Sequence, residues 1–155
     1  MNKIAVFPGS FDPITTGHES IILRALPLFD KIIVSIGVNS TKEGFFPAEK
    51  RKQWIQKIFK RESKIEVKTY KGLTIDFCKK EKANYILRGL RTSADFEFER
   101  VIAQMNRAMN ERIETVFMIS TPELSAINST VIRDIIKNGG DATQFVPTAI
   151  AKELK

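Results

Sequence analysis

The first eighteen residues constrain the fold of this chain more than any other stretch. Residues 4–7 are a short apolar run without polar alternation, which suits a strand buried on both faces of a parallel sheet. Pro8 and Gly9 end this run, and a helical pattern with one apolar face begins near Gly17. The stretch therefore predicts a strand, a glycine-bearing loop and a helix start.

The predicted helix start has the character of a phosphate site. Thr16 and Glu19 match a T-x-x-E capping box, which places the predicted N-cap at Thr16 and His18 in the first turn. Unpaired backbone N–H groups and the positive end of the helix dipole favour anions there. A lone histidine at a helix start is often only a polar surface residue. Here the adjacent Gly17 and the hydroxyl of Ser10 on the incoming loop favour phosphate binding.

Composition bounds the class of protein. With 155 residues, 43% hydrophobic and 28% charged, the chain fits a globular protein, and we predict a single domain over residues 1–155. No apolar run approaches the roughly 20 residues of a membrane span, and the first residues do not resemble a signal peptide. Cys78 is the only cysteine, so an internal disulfide is excluded; its apolar neighbours predict a small buried residue. We expect a cytoplasmic protein without a membrane partner.

The charge balance leaves two kinds of partner open. There are 25 Lys and Arg residues against 18 Asp and Glu residues, a net charge of +7. Such an excess suits a nucleic acid, but it equally suits small polyanionic substrates. The basic residues are spread along the chain without aromatic interleaving on one strand, so we expect no nucleic-acid partner. A basic nucleic-acid-binding module is kept as the more distant alternative.

Strand and helix patterns alternate five times along the chain. This predicts an α/β fold, a Rossmann-like three-layer sandwich with a five-stranded, mainly parallel sheet. Such sheets bind ligands at the carboxyl ends of their strands, near the switch point of the strand order. Polar side chains follow all five predicted strands: Ser10, Lys42, Thr74, Arg88 and Ser129. Because no P-loop and no G-x-G-x-x-G motif is present, the usual nucleotide and dinucleotide sites are not expected.

Two later stretches also suit phosphate groups. In residues 88–92, two arginines flank a glycine at a predicted strand end, where the planar guanidinium groups can bind phosphate oxygens. In residues 124–130, hydroxyl groups precede a predicted helix whose first N–H groups are unpaired. A solvated basic turn and a simple helix cap are the plainer interpretations of these two stretches.

These three stretches together carry a family resemblance. Residues 9–18, G-S-F-D-P-x-T-x-G-H, resemble the signature of the nucleotidyltransferase superfamily with an (H/T)-x-G-H motif, in the threonine form typical of phosphopantetheine adenylyltransferases. Residues 88–99, R-G-L-R-x-x-x-D-F-E-x-E, are similar to the pattern of that family, and residues 127–133 are similar to its I-S-S-[ST]-x-[VI]-[RK]. Three positions depart from the pattern: Ser10 replaces the usual threonine, Asn128 replaces a serine, and Leu124 takes a site that is often aromatic.

The resemblance implies a reaction. The adenylyl group of ATP would pass to 4′-phosphopantetheine, giving dephospho-coenzyme A and pyrophosphate. The nucleophile is a phosphate oxygen that is already ionised, so catalysis needs alignment and charge stabilisation rather than a general base. Another nucleotidyltransferase of the same fold, such as a nicotinamide mononucleotide adenylyltransferase or a cytidylyltransferase, is the nearer alternative. The pattern in residues 88–99 argues against it.

The resemblance also implies roles for individual residues. His18 would stabilise the α-phosphate, with Ser10 and Lys42 as the other catalytic residues. Phosphopantetheine would be bound by Ser10, Lys42, Thr74 and Arg88. ATP would be bound by Ser10, Phe11, His18, Gly89, Leu90, Arg91, Glu99, Leu124, Ser125, Ala126, Ile127, Asn128, Ser129 and Thr130.

Cofactor and assembly are expected by the same route. Mg²⁺ would accompany the triphosphate, held mainly by its oxygens and by water, and no side chain is predicted to ligate a metal. The family forms homohexamers and is subject to feedback inhibition by coenzyme A, and both are expected here.

Overall fold

Strands and helices alternate along residues 1–154, which are the residues that the structure, a computed structural model, describes. The five strands are β1 (Ile4–Gly9), β2 (Lys31–Gly37), β3 (Ile65–Tyr70), β4 (Tyr85–Leu90) and β5 (Glu114–Ile119). The α-helices are α1 (Thr16–Ala25), α2 (Ala48–Ile58), α3 (Thr74–Glu81), α4 (Ser93–Met109), α5 (Ser129–Lys137) and α6 (Thr148–Ala151). Single 3₁₀ turns lie at Leu26–Leu28, Pro122–Leu124, Thr143–Phe145 and Lys152–Leu154.

The strands form one sheet in the order β3-β2-β1-β4-β5, and every pairing is parallel. The central strand β1 pairs with β2 on one side and β4 on the other, with Val6 opposite both Ile33 and Ile86. The chain runs outward from β1 through β2 to β3 and then returns to the far side of β1. The switch point therefore lies between β1 and β4, and the predicted parallel α/β sheet is confirmed.

The sheet is covered on both faces, as the apolar sequence of β1 predicts. Ala5 and Phe7 join the core that includes α1 and α2, while Val6 points into a second core with α3. Cys78 of α3 is fully buried in this second core, and burial raises the pKa of its thiol to about 12. Cys78 is therefore a packing residue with little thiolate character, as expected from its neighbours.

Element boundaries differ from the sequence prediction in two informative places. Helix α4 begins at Ser93, two residues before the predicted start at Asp95, because the Thr92 side chain accepts a hydrogen bond from the Asp95 N–H. Strand β4 continues to Leu90, so Arg88 lies within the strand, and its side chain donates to the Pro8 carbonyl of the neighbouring β1. Among the described residues, no helix combines the length and apolarity needed to cross a membrane.

Candidate active site

A cavity of about 320 Å³ opens at the switch point. It lies between the carboxyl ends of β1 and β4 and the first residues of α1 and α5, where the topology predicts a ligand site. The lining comprises Phe7, Pro8, Gly9, Ser10, Phe11, Thr15, Gly17, His18, Ile21, Arg88, Gly89, Arg91, Asp95, Glu99, Ser120, Ile127, Asn128, Ser129 and Thr130.

The start of α1 is fixed by a reciprocal cap between Thr15 and His18. Thr15 Oγ1 accepts the His18 backbone N–H at 3.2 Å, and His18 Nδ1 accepts the Thr15 backbone N–H at 3.0 Å. The predicted cap at Thr16 with Glu19 is therefore wrong by one residue. The histidine takes the place that glutamate occupies in the usual capping box, so one side chain both closes the helix and faces the cavity.

The cap determines the protonation state of His18. A backbone N–H can only donate, so Nδ1 must be unprotonated, and the neutral ring carries its proton on Nε2. Burial, together with the nearby cations Arg88 and Arg91, lowers the pKa of His18 to about 4. His18 therefore remains a neutral hydrogen-bond donor at physiological pH.

The imidazole of His18 packs against aromatic rings. The ring of Phe11 meets that of His18 edge to face at 5.0 Å between centroids, and Phe7 meets Phe11 at 5.5 Å. Phe11 occupies the left-handed backbone region, with φ of +47°, which costs energy for a bulky residue. The surrounding contacts must maintain this conformation, and they place the Phe11 ring, which is only 2% exposed, beneath His18.

The loop between β1 and α1 is braced through its carbonyl oxygens. Side chains from α2 and α5 donate to three of them: Arg51 Nη1 to Ser10 O at 2.6 Å, Arg133 Nη1 to Asp12 O at 2.8 Å and Ser129 Oγ to Pro13 O at 2.8 Å. Just before the loop, at the end of β1, Arg88 Nη1 donates to Pro8 O at 2.5 Å. Charged donors make the stronger hydrogen bonds in proteins. The braced loop therefore holds Ser10 and Phe11 in place before any ligand arrives.

Arg88 is oriented by Glu99. Arg88 Nε and Nη2 donate to the two carboxylate oxygens of Glu99 at 3.0 and 2.6 Å, in a fork-to-fork pair. Glu99 is the one buried residue of α4, so this pair ties the helix to the sheet. Both oxygens of Glu99, a residue predicted to bind ATP, are thus engaged by Arg88, and its direct effect is to position that arginine.

The other arginine of the motif is held at the mouth of the cavity. Asp95 Oδ2 accepts the Arg91 backbone N–H at 3.0 Å and lies 3.3 Å from Arg91 Nε. Arg91 stays exposed, so its guanidinium is available to an anion. Asp95 was not predicted as a site residue, although its place four residues after Arg91 at a helix start is a usable signal.

The start of α5 is capped by Asn128. Its side chain accepts the Val131 backbone N–H at 2.9 Å, so the asparagine that departs from the family pattern performs the capping itself. The hydroxyl of Ser129 is engaged with the β1–α1 loop, and Thr130 Oγ1 accepts from Arg133 Nη2 at 3.2 Å. At this helix start, the predicted hydroxyl groups therefore serve the protein scaffold as well as facing the cavity.

Most of the predicted site residues converge on this cavity, and some do not. Leu90, Thr74, Leu124, Ser125 and Ala126 do not line it, and neither does Lys42, which lies in the exposed loop between β2 and α2. The lining residues that were not predicted to be in the site are Phe7, Pro8, Gly9, Thr15, Gly17, Ile21, Asp95 and Ser120. Apart from Asp95, these follow from the geometry of the strand ends and the first turn of α1.

A second cavity of about 220 Å³ adjoins the first. It is bordered by Tyr70 and Thr74, whose hydroxyl groups lie 2.9 Å apart, and by Ile102 and Asn106 of α4. The two cavities share Pro8, Gly9, Arg88 and Glu99. Arg88 thus lies at their junction, and two ligands could meet there.

The site offers no ready metal ligands of its own. Within residues 1–154, no group of three or more His, Cys, Asp or Glu side chains is arranged to hold a metal ion. The carboxylates near the cavity are already engaged: Glu99 with Arg88, Asp95 with Arg91, and Asp12 with two backbone N–H groups. The donor set does not fit direct ligation of Mg²⁺ by protein side chains.

Comparisons with known proteins first identify the class of protein to which the chain belongs. The family model described as cytidylyltransferase-like matches residues 6–135. The fold resembles a solved Vibrio parahaemolyticus protein provisionally assigned as a nicotinate-nucleotide adenylyltransferase, with a TM-score of 0.74 and 22% identity over 99% of each chain. It also resembles a bifunctional NMN adenylyltransferase/ADP ribose pyrophosphatase from Francisella tularensis, with a TM-score of 0.70 and 20% identity over 94% of this chain and 45% of that one. The match to the family model and the switch-point cavity define a nucleotidyltransferase.

Sequence relatives then narrow the family. Phosphopantetheine adenylyltransferase of Flavobacterium johnsoniae is 53% identical over 146 residues, covering 94% of this chain and 95% of the relative. The enzyme of the same name from Cytophaga hutchinsonii is 48% identical over 150 residues, covering 97% and 100%. The chain belongs to the phosphopantetheine adenylyltransferases, and the family resemblance in its sequence is confirmed.

Proposed function

We propose that this chain transfers the adenylyl group of ATP to 4′-phosphopantetheine, giving dephospho-coenzyme A and pyrophosphate, as a step of coenzyme A biosynthesis. The observation that carries the proposal is the neutral His18, with Nδ1 occupied by the cap and Nε2–H available, in a cavity that meets a second one at Arg88. A transfer reaction needs two such adjoining sites, with the hydrogen-bond donors close to the point of attack.

The larger cavity suits ATP and the smaller one suits phosphopantetheine. ATP would place its phosphates against the starts of α1 and α5, where helix N–H groups favour anions. Phosphopantetheine would reach Arg88 with its phosphate and extend past Thr74 towards α4. This assignment gives Arg88 and Thr74 their expected roles at the acceptor.

The chemistry then requires no proton transfer. A lone pair of an acceptor phosphate oxygen forms the new bond to the α-phosphorus of ATP. The bond from that phosphorus to the bridging oxygen breaks, and its electron pair leaves on pyrophosphate. His18 Nε2–H donates to an α-phosphate oxygen as its charge rises, and Arg88 and Arg91 supply positive charge nearby.

Ser10 and Lys42 are the other two proposed catalytic residues, and they differ in how firmly the structure holds them. Ser10 is held on the braced loop, so its hydroxyl would orient the acceptor phosphate with little loss of entropy. Lys42 lies outside the cavities, on an exposed loop, and would bridge the two phosphates once both substrates are bound.

Mg²⁺ is proposed to arrive with the nucleotide. Because the nearby carboxylates are engaged, the ion would be bound by the triphosphate oxygens and water, and it would neutralise charge on the leaving pyrophosphate. The protein's own contribution is the set of hydrogen-bond donors and arginines described above.

Pyrophosphate release tests the proposed function. Purified protein is supplied with ATP and Mg²⁺, and with 4′-phosphopantetheine, nicotinamide mononucleotide or no acceptor in parallel. A further arm replaces ATP with CTP. We expect release only with ATP and 4′-phosphopantetheine together. Turnover confined to nicotinamide mononucleotide or to CTP would replace the acceptor or the nucleotide while keeping the reaction class.

The α4 surface supports the proposed homohexamer. Phe98, Val101, Ile102, Met105 and Met109 share one exposed face of this helix, and Phe98 is 70% exposed. A contiguous apolar face of this kind marks a protein interface. We expect a hexameric mass in light scattering, a smaller mass for Met105→Glu, and no change for Gln104→Glu, which adds the same charge towards the helix's polar side. A monomeric wild-type protein would contradict the proposal.

Two further expectations belong to the same proposal. Coenzyme A contains the phosphopantetheine moiety, so it would occupy the acceptor cavity and inhibit competitively with the acceptor. A cytoplasmic location is proposed on the grounds already given from the sequence.

A further inference from the structure

A buried ion pair joins the loops that follow β1 and β2. Asp12, from the β1–α1 loop, uses its two carboxylate oxygens to accept the backbone N–H groups of Phe45 and Phe46, at 2.7 and 2.8 Å. Arg51 of α2 donates Nε to Phe46 O at 2.9 Å and Nη1 to Ser10 O at 2.6 Å. Asp12 is 6% exposed and Arg51 5% exposed.

The charged side chains of Asp12 and Arg51 both serve to join the two loops. The two side chains lie 3.9 Å apart at their nearest charged atoms, so the pair compensates its own burial. Every hydrogen bond that they make goes to backbone of one loop or the other. Hydrogen bonds of this kind fix the position of one backbone segment relative to another.

Gly44 shows how tightly the connection is packed. A Cβ atom at this position would lie 2.8 Å from Asp12 Oδ2 and 2.9 Å from Arg51 Nη2. Both distances are shorter than carbon–oxygen and carbon–nitrogen contacts allow. The glycine is therefore required by the ion pair, although Gly44 itself lies in an exposed loop.

The connection determines where Lys42 can reach. Lys42 lies three positions before Phe45, so its Cα lies within about 10 Å of the anchored backbone. The rest of the loop, from Asn39 to Gly44, is exposed, and a local turn is held by the Thr41 backbone N–H and hydroxyl, which both donate to Asn39 Oδ1. The Asp12 carboxylate is thus the fixed point that anchors the end of the Lys42 loop nearest α2.

We propose that Asp12 and Arg51 are positioning residues that set the placement of the Lys42 loop relative to Ser10, and so set the efficiency with which the acceptor phosphate is aligned. The proposal rests on the proposed roles of Ser10 and Lys42. It assigns to Asp12, Arg51 and Gly44 a role in acceptor alignment that is separate from the fold of the α/β sheet.

Gly44→Ala is the primary variant, with Glu43→Ala as its matched control. The added methyl group pushes on the ion pair from an exposed position, so the core of the protein is left intact. We expect kcat/KM for 4′-phosphopantetheine to fall about 3- to 10-fold, because a small misplacement of a positioned group lowers the rate and because the loss cannot exceed that caused by removing the Lys42 side chain, while the KM for ATP changes little. Glu43→Ala, one residue away, should remain within about twofold of wild type.

Asp12→Asn provides a second route to the same test. Asparagine keeps the shape but presents one acceptor oxygen to two backbone N–H groups, so either Phe45 or Phe46 loses its partner. Hydrogen exchange of the peptide spanning residues 39–46 should accelerate in both Asp12→Asn and Gly44→Ala. This readout does not depend on activity.

A double-mutant cycle with Lys42→Ala decides the proposal. If the ion pair acts through Lys42, Gly44→Ala should cost less than about twofold once Lys42 is absent. An equal cost in both backgrounds, or unchanged exchange of residues 39–46, would overturn the positioning role. Failure of the proposed function is recognised separately, because the wild-type protein would then not turn over 4′-phosphopantetheine at all.

Discussion

The two loops that meet at Asp12 differ in almost every physical respect. The β1–α1 loop is buried from Phe11 to Thr15, and three of its backbone carbonyls accept hydrogen bonds from side chains of other elements. The β2–α2 loop is exposed from Asn39 to Phe45, and it is tied to the rest of the protein at the end nearest α2. One loop is preorganised, and the other is free to adjust.

The difference suits two separate tasks in one site. Stabilising charge on a phosphate is most effective when the donors are already in place, because no reorganisation is needed during the reaction. Admitting a long, flexible acceptor requires a segment that can yield and then close. We infer that the braced loop provides the fixed donors, while the exposed loop brings Lys42 to the substrates after they bind.

The largest effect is expected at the start of α1, directly after the braced loop, from His18→Ala. Removal of one preorganised donor typically costs on the order of 10²–10³ in rate, and the loss should fall on kcat, since the donor acts mainly in the transition state. Stopped assays of pyrophosphate release at saturating substrates measure it. Ser20→Ala, in the next turn of α1, is the control. Near-normal turnover of a folded His18→Ala variant would remove His18 from the mechanism.

An intermediate effect is expected from Glu99→Gln. The amide breaks the charged fork with Arg88, so the arginine loses its fixed orientation at the junction of the two cavities. We expect kcat/KM to fall about 10- to 100-fold. Steady-state kinetics with both substrates varied would show it. Glu97→Gln removes an exposed pairing with Arg100 on the same helix and should leave the kinetics unchanged; an equal loss in both variants would point to general damage to α4.

A smaller effect is expected at the exposed loop, from Lys42→Ala. Because the loop adopts its working position only with substrates bound, much of the loss should appear as a raised KM for the acceptor, by about tenfold. The melting temperature should not change, since Lys42 is exposed. A loss in kcat as large as that of His18→Ala would mean that the two loops do not differ in the way described.

The sheet could be predicted from the sequence because local patterns dictate it. Apolar runs such as residues 32–36 mark strands buried on both faces, and the alternation in residues 65–67 marks the edge strand β3. The convergence of Ser10, Arg88 and Ser129 follows from topology, because all parallel strands end at the same edge. These inferences depend on periodicity and connectivity, both of which can be read along the chain.

The features that the sequence did not predict depend on contacts between residues that are distant in sequence or on partners outside the usual patterns. The N-cap of α1 is Thr15 and not the predicted Thr16, because the partner in the capping box is His18 and not a glutamate. The T-x-x-E pattern does not include a histidine at that position. The bracing of Ser10 by Arg51 joins residues 41 positions apart, and Asp12 reaches Phe45 across 33. No local pattern encodes such pairings. The sequence likewise did not show that Lys42 lies outside the cavity, because its position depends on the exposed loop between β2 and α2.

The smallest effect concerns pH and tests whether His18 stays neutral in its buried place at the start of α1. Burial and the nearby arginines lower its pKa from the ordinary 6.5 to about 4, so the folded chain binds fewer protons than the unfolded chain between these values. The stabilisation from the neutral ring is therefore complete above pH 6.5 and is lost as the pH falls towards 4. Because His18 is the only histidine, its ring protons can be followed in NMR without assignment. We expect no titration and little change in kcat from this group between pH 8 and 5.5. A midpoint near 6.5 would show that the His18 ring is solvated and not held in place. His18 would then not be a preorganised donor, and the proposed difference between the buried site and the exposed Lys42 loop would be contradicted.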